Sequence, residues 1–446
     1  MRTLAERFSS HLRRRGLLPP AGSALVAVSG GPDSLALLDL LSGEAGPARG
    51  GPRLVVAHVD HGIQEGSGAV AVTVRAIAAR YGVPCEVGRL ELGPGASETT
   101  ARRARYRWLE ETRARLGADW LVTAHHADDQ AETVLLRTLR GSGPAGLAGI
   151  AARTRDRIVR PLLPFTRAEI AEHLASRGIV AHTDPANTDP RHLRSWLRHA
   201  VMPALEARLG PRLRRDLLRV ARQAATDRRA WNDVLDHLPG LDVTIEPGRF
   251  ALARAILGTY SDALAVAVLR AAARRVGLVI GPRRARRLVE LARKPSGRRV
   301  ELGAGWIAET AFDRLRVGQT VQVQTTSAVT IGDTRGSLSF GAYAVRWAPA
   351  VAPRRVVRAA WHTWLPAEGW ELRLPRPGDE VDPLGGVGHR PLRRLLMEAR
   401  VPRGERGVYP VVARGETILW VPGICRSTAD LPAPGTRAVR VDVTQL

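Results

Sequence analysis

Two rhythms of apolar and polar positions alternate along the first half of the chain. The runs ALVAVS (24–29), RLVVAHVD (53–60), VPCEVGRLEL (83–92) and DWLVTAHH (119–126) are short and rich in apolar and β-branched residues, which predicts strands. Between them SLALLDLL (34–41), GAVAVTVRAIAARYG (68–82) and SETTARRARYRWLEETRARLG (97–117) have the spacing of helices, with Ser97 placed to cap the third. Repeated strand, turn and helix imply the α/β class: a doubly wound parallel sheet with right-handed crossovers. Ligands of such sheets sit at the carboxyl ends of the strands.

Beyond Met202 the strand signal stops. RRDLLRVARQAATDRRAWNDVLDHL (214–238) and SDALAVAVLRAAARRVGLVIGPRRARRLVELARK (261–294) read as arginine-rich amphipathic helices. Thr, Ser, Gly, Ala and Pro then dominate from about Thr320 to Pro353, which suggests short strands or a linker. From Trp361 onward come WELRLPRPGDEVDP (370–383), a basic helix RPLRRLLMEARVP (390–402) and the strand-rich PVVARGETILWVPGI (410–424). At 446 residues the chain is too long for one ordinary core. The expected organisation is an α/β catalytic domain over 1–205, a helical domain over 206–320, a linker or short strands over 321–358, and a smaller α+β domain over 359–446.

Charge narrows the partner. The formal net charge is +24 and Lys294 is the only lysine, so arginine carries the excess. Its planar fork suits phosphate, and nucleic acid is the leading partner. Cys85 and Cys425 are the only cysteines and form no CxxC pair, which argues against a disulfide framework or a cysteine-ligated metal and for a reducing compartment. The segment MRTLAERFSSHLRRRGLLPP is broken by charge and has no apolar h-region, and no stretch reaches bilayer length. A cytoplasmic protein with no membrane partner is expected.

The chemistry concentrates in two short stretches. In SGGPDS the predicted strand ends at Ser29, Gly30 and Gly31 permit a tight turn with exposed N–H groups, Pro32 follows, and Ser34 opens the helix. Phosphate oxygens fit such a turn and the positive end of the helix dipole. The spacing and lysine of a Walker A loop are missing, so nothing here is built to grip a γ-phosphate for transfer.

SGGPDS after a first strand resembles the signature of the PP-loop ATP pyrophosphatases, which cleave ATP between its α and β phosphates and adenylate a substrate. Within them the chain resembles the lysidine-forming tRNA(Ile) synthases over most of its length. VAHVDHGIQEGS is similar to their second-strand motif, and ETTARRARYRWLEE to their arginine and tyrosine helix, through Ala101, Arg102, Arg105 and Tyr106. TAHHADDQAETVLLRTLRGSGPAGLAGI is similar to their longest block; RPLLPFTRAEI and DPANTDPRHLRSWLRHAVMPAL follow it. RPLRRLLMEARVPRGERGVYPVV resembles the C-terminal domain of the longer members. Ser195 and Ala186 depart from the usual residues, Asn and Ser, whereas Arg194, Arg198, Asp184 and Asn187 match.

The resemblance implies a substrate tRNA(Ile) with a CAU anticodon, free L-lysine as second substrate, and ATP and Mg²⁺ as cofactors. ATP adenylates the C2 oxygen of the wobble cytidine, and the lysine ε-amine then displaces AMP to give lysidine. It places Ser29, Gly30, Gly31, Pro32, Asp33, Ser34, His58, Arg102 and Arg105 at the nucleotide. Asp33, Asp129, Glu132 and His126 are the catalytic candidates, and Arg194, Arg198, Arg393, Arg394 and Arg406 the tRNA-binding ones.

The residue types fit these roles. A carboxylate in a pyrophosphate turn repels phosphate unless it holds a cation, so Asp33 is a magnesium candidate together with Asp129. Asp128, Asp129 and Glu132 share a helix face, a place for a divalent ion or an ammonium group. His126 could accept a proton from the attacking amine. Alternatives stay open: helix capping by these acids, a transition-metal site from His58, His61, His125, His126 and Asp60, and Trp361, Trp364 and Trp370 as core residues instead of base-stacking ones. At the level of function the alternatives are another PP-loop tRNA-modifying or amide-forming ligase, and an RNA-binding protein with a vestigial nucleotide site. Homodimerisation is left open.

Overall fold

The computed structural model describes residues 2–19, 22–44, 46–60, 67–90, 98–154, 156–182, 193–319, 328–331, 334–367 and 369–445. His61, Ser97, Asp184, Ala186 and Asn187 lie outside them. The chain divides into two compact units, Met1–Ala230 and Trp231–Leu446.

The first unit begins with α1 (Leu4–Arg15), β1 (Ser23–Ala27), α2 (Pro32–Glu44), β2 (Arg53–Asp60), α3 (Ser67–Arg80) and β3 (Cys85–Arg89). It continues with α4 (Glu98–Arg115), β4 (Trp120–Val122), α5 (Ala127–Leu139), α6 (Pro144–Leu147), β5 (Ile158–Val159) and α7 (Arg167–Ser176). The five strands form one sheet in the order β3-β2-β1-β4-β5, and every pairing is parallel. The doubly wound parallel sheet expected from the two rhythms is therefore present. Four elements went unread: α1, whose start is capped by Thr3 and Glu6, the short helix α6, the helix α7 and the two-residue strand β5.

Burial explains why α2 looks so little like a surface helix. Every residue from Ser34 to Leu41 is buried, because the sheet covers one side and α1 and α7 the other. Phe8 and Leu12 of α1 and Ile170 and Leu174 of α7 share one core with Leu35, Leu37, Leu38 and Leu41. A helix apolar all round is one enclosed on all sides.

Strand order fixes where a ligand can go. The chain builds outward from β1 through β2 to β3, then returns to the other flank of β1 with β4. The carboxyl ends of β1 and β4 thus flank the reversal, and the crevice of a doubly wound sheet opens there. The unit closes with α8 (Leu193–Trp196), a π-helical turn Leu197–Val201, α9 (Met202–Leu209) and the start of α10 (Leu213–His237). Leu197 and Met202 pack on Ala131 of α5, so this end of the unit lies against the crevice helix.

The second unit corrects one expectation. Helices α11 (Arg254–Thr259), α12 (Asp262–Arg275) and α13 (Pro282–Ala292) are present, but strands do not stop after Met202. β6 (Thr244–Glu246), β7 (Arg249–Ala253), β8 (Arg299–Gly303), β9 (Trp306–Ala311) and β10 (Arg314–Gln319) form an antiparallel sheet in the order β6-β7-β10-β9-β8. In RLRVGQ the buried Leu315 and Val317 alternate with Arg314 and Arg316, a two-residue period that the arginine content masked.

The remainder holds β11 (Ala328–Ile331), β12 (Gly336–Phe340), β13 (Tyr343–Val351), β14 (His362–Pro366), β15 (Trp370–Arg373), β16 (Glu380–Val381) and β17 (Arg390–Pro391). It ends with α14 (Leu392–Glu398), α15 (Arg403–Arg406), β18 (Val411–Arg414), β19 (Thr417–Val421), β20 (Cys425–Arg426) and β21 (Arg437–Gln445). These form the sheets β11-β15-β18-β19-β20 and β12-β13-β21-β14. The stretch read as linker or short strands supplies β11, which pairs with β15, and β12 and β13, which pair with each other, β13 also pairing with β21. Trp370 and Trp420 fill the core between them.

Candidate functional site

The turn after β1 is held by its own side chains. Ser34 Oγ accepts from the Ser29 N–H at 3.1 Å and donates to the Gly31 carbonyl at 2.8 Å, which pins the loop onto the first turn of α2. Gly30 has φ +85°, and a Cβ there would stand 2.7 Å from Val70 Cγ1. Only glycine meets both conditions. From the second strand, His58 places Nδ1 2.9 Å from the Val28 carbonyl and is 3% exposed, so it buttresses the backbone leading into the turn.

Across the switch point α5 opens with a histidine cap. His126 accepts at Nδ1 from the Asp128 N–H at 3.2 Å, and its own N–H donates to Asp129 Oδ2 at 3.1 Å. With Nδ1 accepting, the neutral ring carries its hydrogen on Nε2, which lies 3.5 Å from both Asp33 Oδ2 and Asp129 Oδ2. One imidazole thus brings the aspartate of the first turn and the aspartate of the second to the same place. Burial alone would lower the His126 pKa, but Asp33, Asp129 and Asp128 outweigh it and raise it. The Asp129 carboxyl is lowered despite its burial, by His126, His125 and Arg198. In this tautomer Nε2 of His126 has the geometry of a donor to these acids.

The acidic face of α5 is already neutralised. Arg198 Nε and NH2 donate to the two oxygens of Glu132 at 2.7 and 2.9 Å, and NH2 reaches Asp129 Oδ1 at 3.0 Å. Arg214 NH1 donates to Asp128 Oδ1 at 2.9 Å, and the Arg167 N–H donates to Asp128 Oδ2 at 2.8 Å. The cluster read as a place for a divalent ion or an ammonium group holds guanidinium groups in this structure, and Arg198, expected at RNA, points into it.

Asp33 differs from these acids. Among the described residues its Oδ1 is buried with no hydrogen-bond partner, while Oδ2 has His126 and, at 3.9 Å, Arg167. Among the described residues no group of three or more His, Cys, Asp and Glu is arranged to hold a metal, and His61 of the transition-metal alternative lies outside them. Magnesium needs no such group, since it binds through one or two carboxylates together with phosphate oxygens. An orphaned oxygen of Asp33 beside Asp129 fits that requirement.

A second wall of the crevice is cationic. The Arg102 and Arg105 guanidiniums lie 5.1 and 5.9 Å from the Tyr106 ring. Buried Arg160 donates to the Ala151 carbonyl at 2.8 Å, and burial lowers its pKa. His125 Nδ1 lies 3.0 Å from Thr123 Oγ1. Its pKa is pushed down to about 3 by burial, aided by Arg160, Arg102 and Arg194 against the pull of Asp129. Arg160, Arg167 and Arg214 went unassigned at the level of sequence. Arg160 and Arg167 stand within the family-like block RPLLPFTRAEI and Arg214 stands in none, and their partners lie 8 to 86 residues away.

The remaining candidates are spread out. Arg194 is exposed on α8. In the second unit Arg393 is exposed, Arg394 pairs with Glu398 at 3.1 Å, and Arg406 donates to the Val401 carbonyl at 2.9 Å. Trp370 is core, whereas Trp361 is 43% exposed and Trp364 half-buried. No helix of the described residues is long and apolar enough to cross a membrane.

Comparison with known proteins bears on this geometry. Residues 3–205, which carry both halves of the crevice, match the family described as a PP-loop domain, and residues 370–443 match the TilS substrate C-terminal domain. A tRNA(Ile)-lysidine synthase of Solibacter usitatus is 35% identical over 89% of this chain and 92% of its own length. That of Symbiobacterium thermophilum is 33% identical over 99% and 98%. That of Salinispora arenicola is 45% identical over 49% of this chain and 68% of its own length. With a pyrophosphate-type turn at the switch point and likeness carried through both units, the chain belongs to the tRNA(Ile)-lysidine synthase family.

Proposed function

We propose that the chain joins free L-lysine to C2 of the wobble cytidine, position 34, of CAU-anticodon tRNA(Ile), through an adenylated cytidine. Pyrophosphate and AMP leave, and codon reading switches from AUG to AUA. The observation that carries the proposal is the meeting of Asp33 and Asp129 on one imidazole, with the glycine turn on one side and Glu132 on the other.

The chemistry follows from the electrophile. A pyrimidine C2 carbonyl resists attack by an amine. Attack of its oxygen on the α-phosphorus of ATP forms the O–P bond, breaks the bond to pyrophosphate, and makes C2–O a breakable bond. The lysine nitrogen then bonds to C2, AMP departs with the oxygen, and the nitrogen gives up a proton. The N–H groups of Gly30 and, at the start of α2, Asp33 receive the phosphates. Asp33 and Asp129 would hold Mg²⁺, which bound there would offset the charge of departing pyrophosphate. His126 orients both carboxylates. Glu132 and Asp129 offer the negative charge that a lysine side chain seeks, in exchange for Arg198. Arg102, Arg105 and Arg160 face the anionic nucleotide and the anticodon backbone.

The test is one incubation with Mg·ATP, labelled lysine and unmodified CAU-anticodon tRNA(Ile). Label in that tRNA but not in tRNA(Met), with AMP formed in equal amount, is expected; Asp33→Asn should lose both products at least a hundredfold while tRNA affinity changes by less than threefold. AMP without label would sink lysine as the nucleophile, and neither product from folded protein that binds tRNA would sink the ligase.

A further inference from the structure

The sheet β12-β13-β21-β14 has one face in the core and one that no residue assigned so far occupies. Val345, Thr363, Leu365, Val439, Val441 and Val443 are at most 1% exposed and turn inward. Alternation along the strands then turns Arg346, His362, Trp364, Arg440 and Asp442 outward. The register makes them neighbours: Arg346 pairs with Asp442, Asp442 with His362, and Arg440 with Trp364. The Arg440 guanidinium lies 5.6 Å from the Trp364 ring centre, and the His362 ring meets Trp364 edge-on at 5.5 Å. Beside them Arg335, Arg346, Arg440 and Asp442 line an open concavity of about 430 Å³.

The chemistry of this face differs from that of a basic helix. Asp442 is its one acid and bonds Arg440 at 2.8 Å, which leaves Arg335 and Arg346 as surplus positive charge. Positive charge alone suits any phosphate backbone, paired or not. An aromatic ring on an open four-stranded sheet adds something a duplex cannot use, because the bases of a duplex hide their faces in the stack. Unpaired bases expose theirs and stack on such rings, with arginine taking the neighbouring phosphates.

We propose that the outer face of β12-β13-β21-β14 binds an unpaired stretch of the substrate RNA, a base against Trp364 and flanking phosphates on Arg335, Arg346 and Arg440. The proposal rests on the reading of tRNA as substrate and names a surface for it apart from Arg393, Arg394 and Arg406.

The experiment measures binding of the full chain to a labelled single-stranded RNA hexamer and to a blunt RNA duplex of equal length, for wild type, Trp364→Ala and Arg346→Glu. Trp364→Ala should weaken the hexamer about tenfold and leave the duplex within twofold, and Arg346→Glu should weaken the hexamer by a similar factor. Arg346 is exposed, so its variant keeps the test open if Trp364→Ala misfolds by circular dichroism. Hexamer affinities unchanged in every folded variant would overturn the proposal. So would equal weakening of hexamer and duplex by Trp364→Ala, or a sole effect on self-association in sedimentation, which would make the face a contact between copies. Lysine incorporation assayed in parallel separates the two ideas: incorporation with no hexamer effect removes the face alone, and a hexamer effect without incorporation removes the lysine reading alone.

Discussion

Asp39 is 4% exposed in the middle of the most apolar helix of the first unit. A buried charge persists only when partners replace its water, and three do: Tyr81 Oη donates at 2.6 Å, His173 Nε2 lies at 2.7 Å, and Arg177 Nε donates at 3.3 Å. Burial alone would raise the carboxyl, but His173, Tyr81 and Arg177 bring it down to about 2 from 3.8. A folded-state value below the unfolded one contributes stability above pH 3.8 that is lost as pH falls through about 2. The difference corresponds to about 2 kcal/mol at neutral pH. Unfolding free energies of wild type and Asp39→Asn from urea titrations should therefore differ by that amount at pH 7 and converge as pH falls through about 2; a constant gap would place the effect in packing. The acid itself was visible inside SLALLDLL, and its need for partners follows from the pattern. Which partners it has did not, since His173 lies 134 residues away. The contrast with the turn is instructive: Ser29, Gly31 and Ser34 bond one another within six positions, so a short motif states most of their geometry.

At the scale of elements, α5 is held by a part of the chain that carries no strong local signal. The helix α8 passes through the π-helical turn Leu197–Val201 into α9, and Arg198 on that turn reaches Glu132 and Asp129. An extra residue per turn re-aims side chains, and such turns recur at functional sites. Periodicity cannot announce one, because a single insertion shifts the apolar phase by too little to read. Glu132 is 5% exposed, so removing its guanidinium strands a buried charge. Arg198→Ala should cost about 3 kcal/mol, whereas Arg198→Met with Glu132→Gln should cost less than the single change, because no charge is left unpaired. Amide exchange in α5 reads both; equal losses would mean that the pair contributes through packing. The same limit hid β6 to β10: they are strands of three to six residues, and in β10 the outward arginines resemble a solvated helix face when charge is read before period.

At the scale of the whole molecule the charge of +24 needs a distribution before it means anything. Part of it is spent inward, on Glu132, Asp128, Asp39 and, in the second unit, Asp379, which takes the fully buried Arg373 at 2.9 Å. What remains outward is concentrated. α13 buries Ala285, Leu288, Val289, Leu291 and Ala292 and leaves Arg283, Arg284, Arg286 and Arg287 exposed, with Glu290 the one acid on the helix. A row of this kind reads phosphates without reading sequence, and each phosphate it neutralises releases about one counterion. Replacing the four arginines by glutamine should flatten the plot of log K for tRNA against log salt by roughly two to four in slope, with equal loss for cognate and non-cognate tRNA. The helix should survive, since none of the four contributes to its buried face. Lysine incorporation at saturating tRNA should stay within about twofold of wild type, because the crevice in the first unit is untouched. An unchanged slope would show that α13 faces water in the complex, and a loss confined to the cognate tRNA would show that these arginines read bases after all.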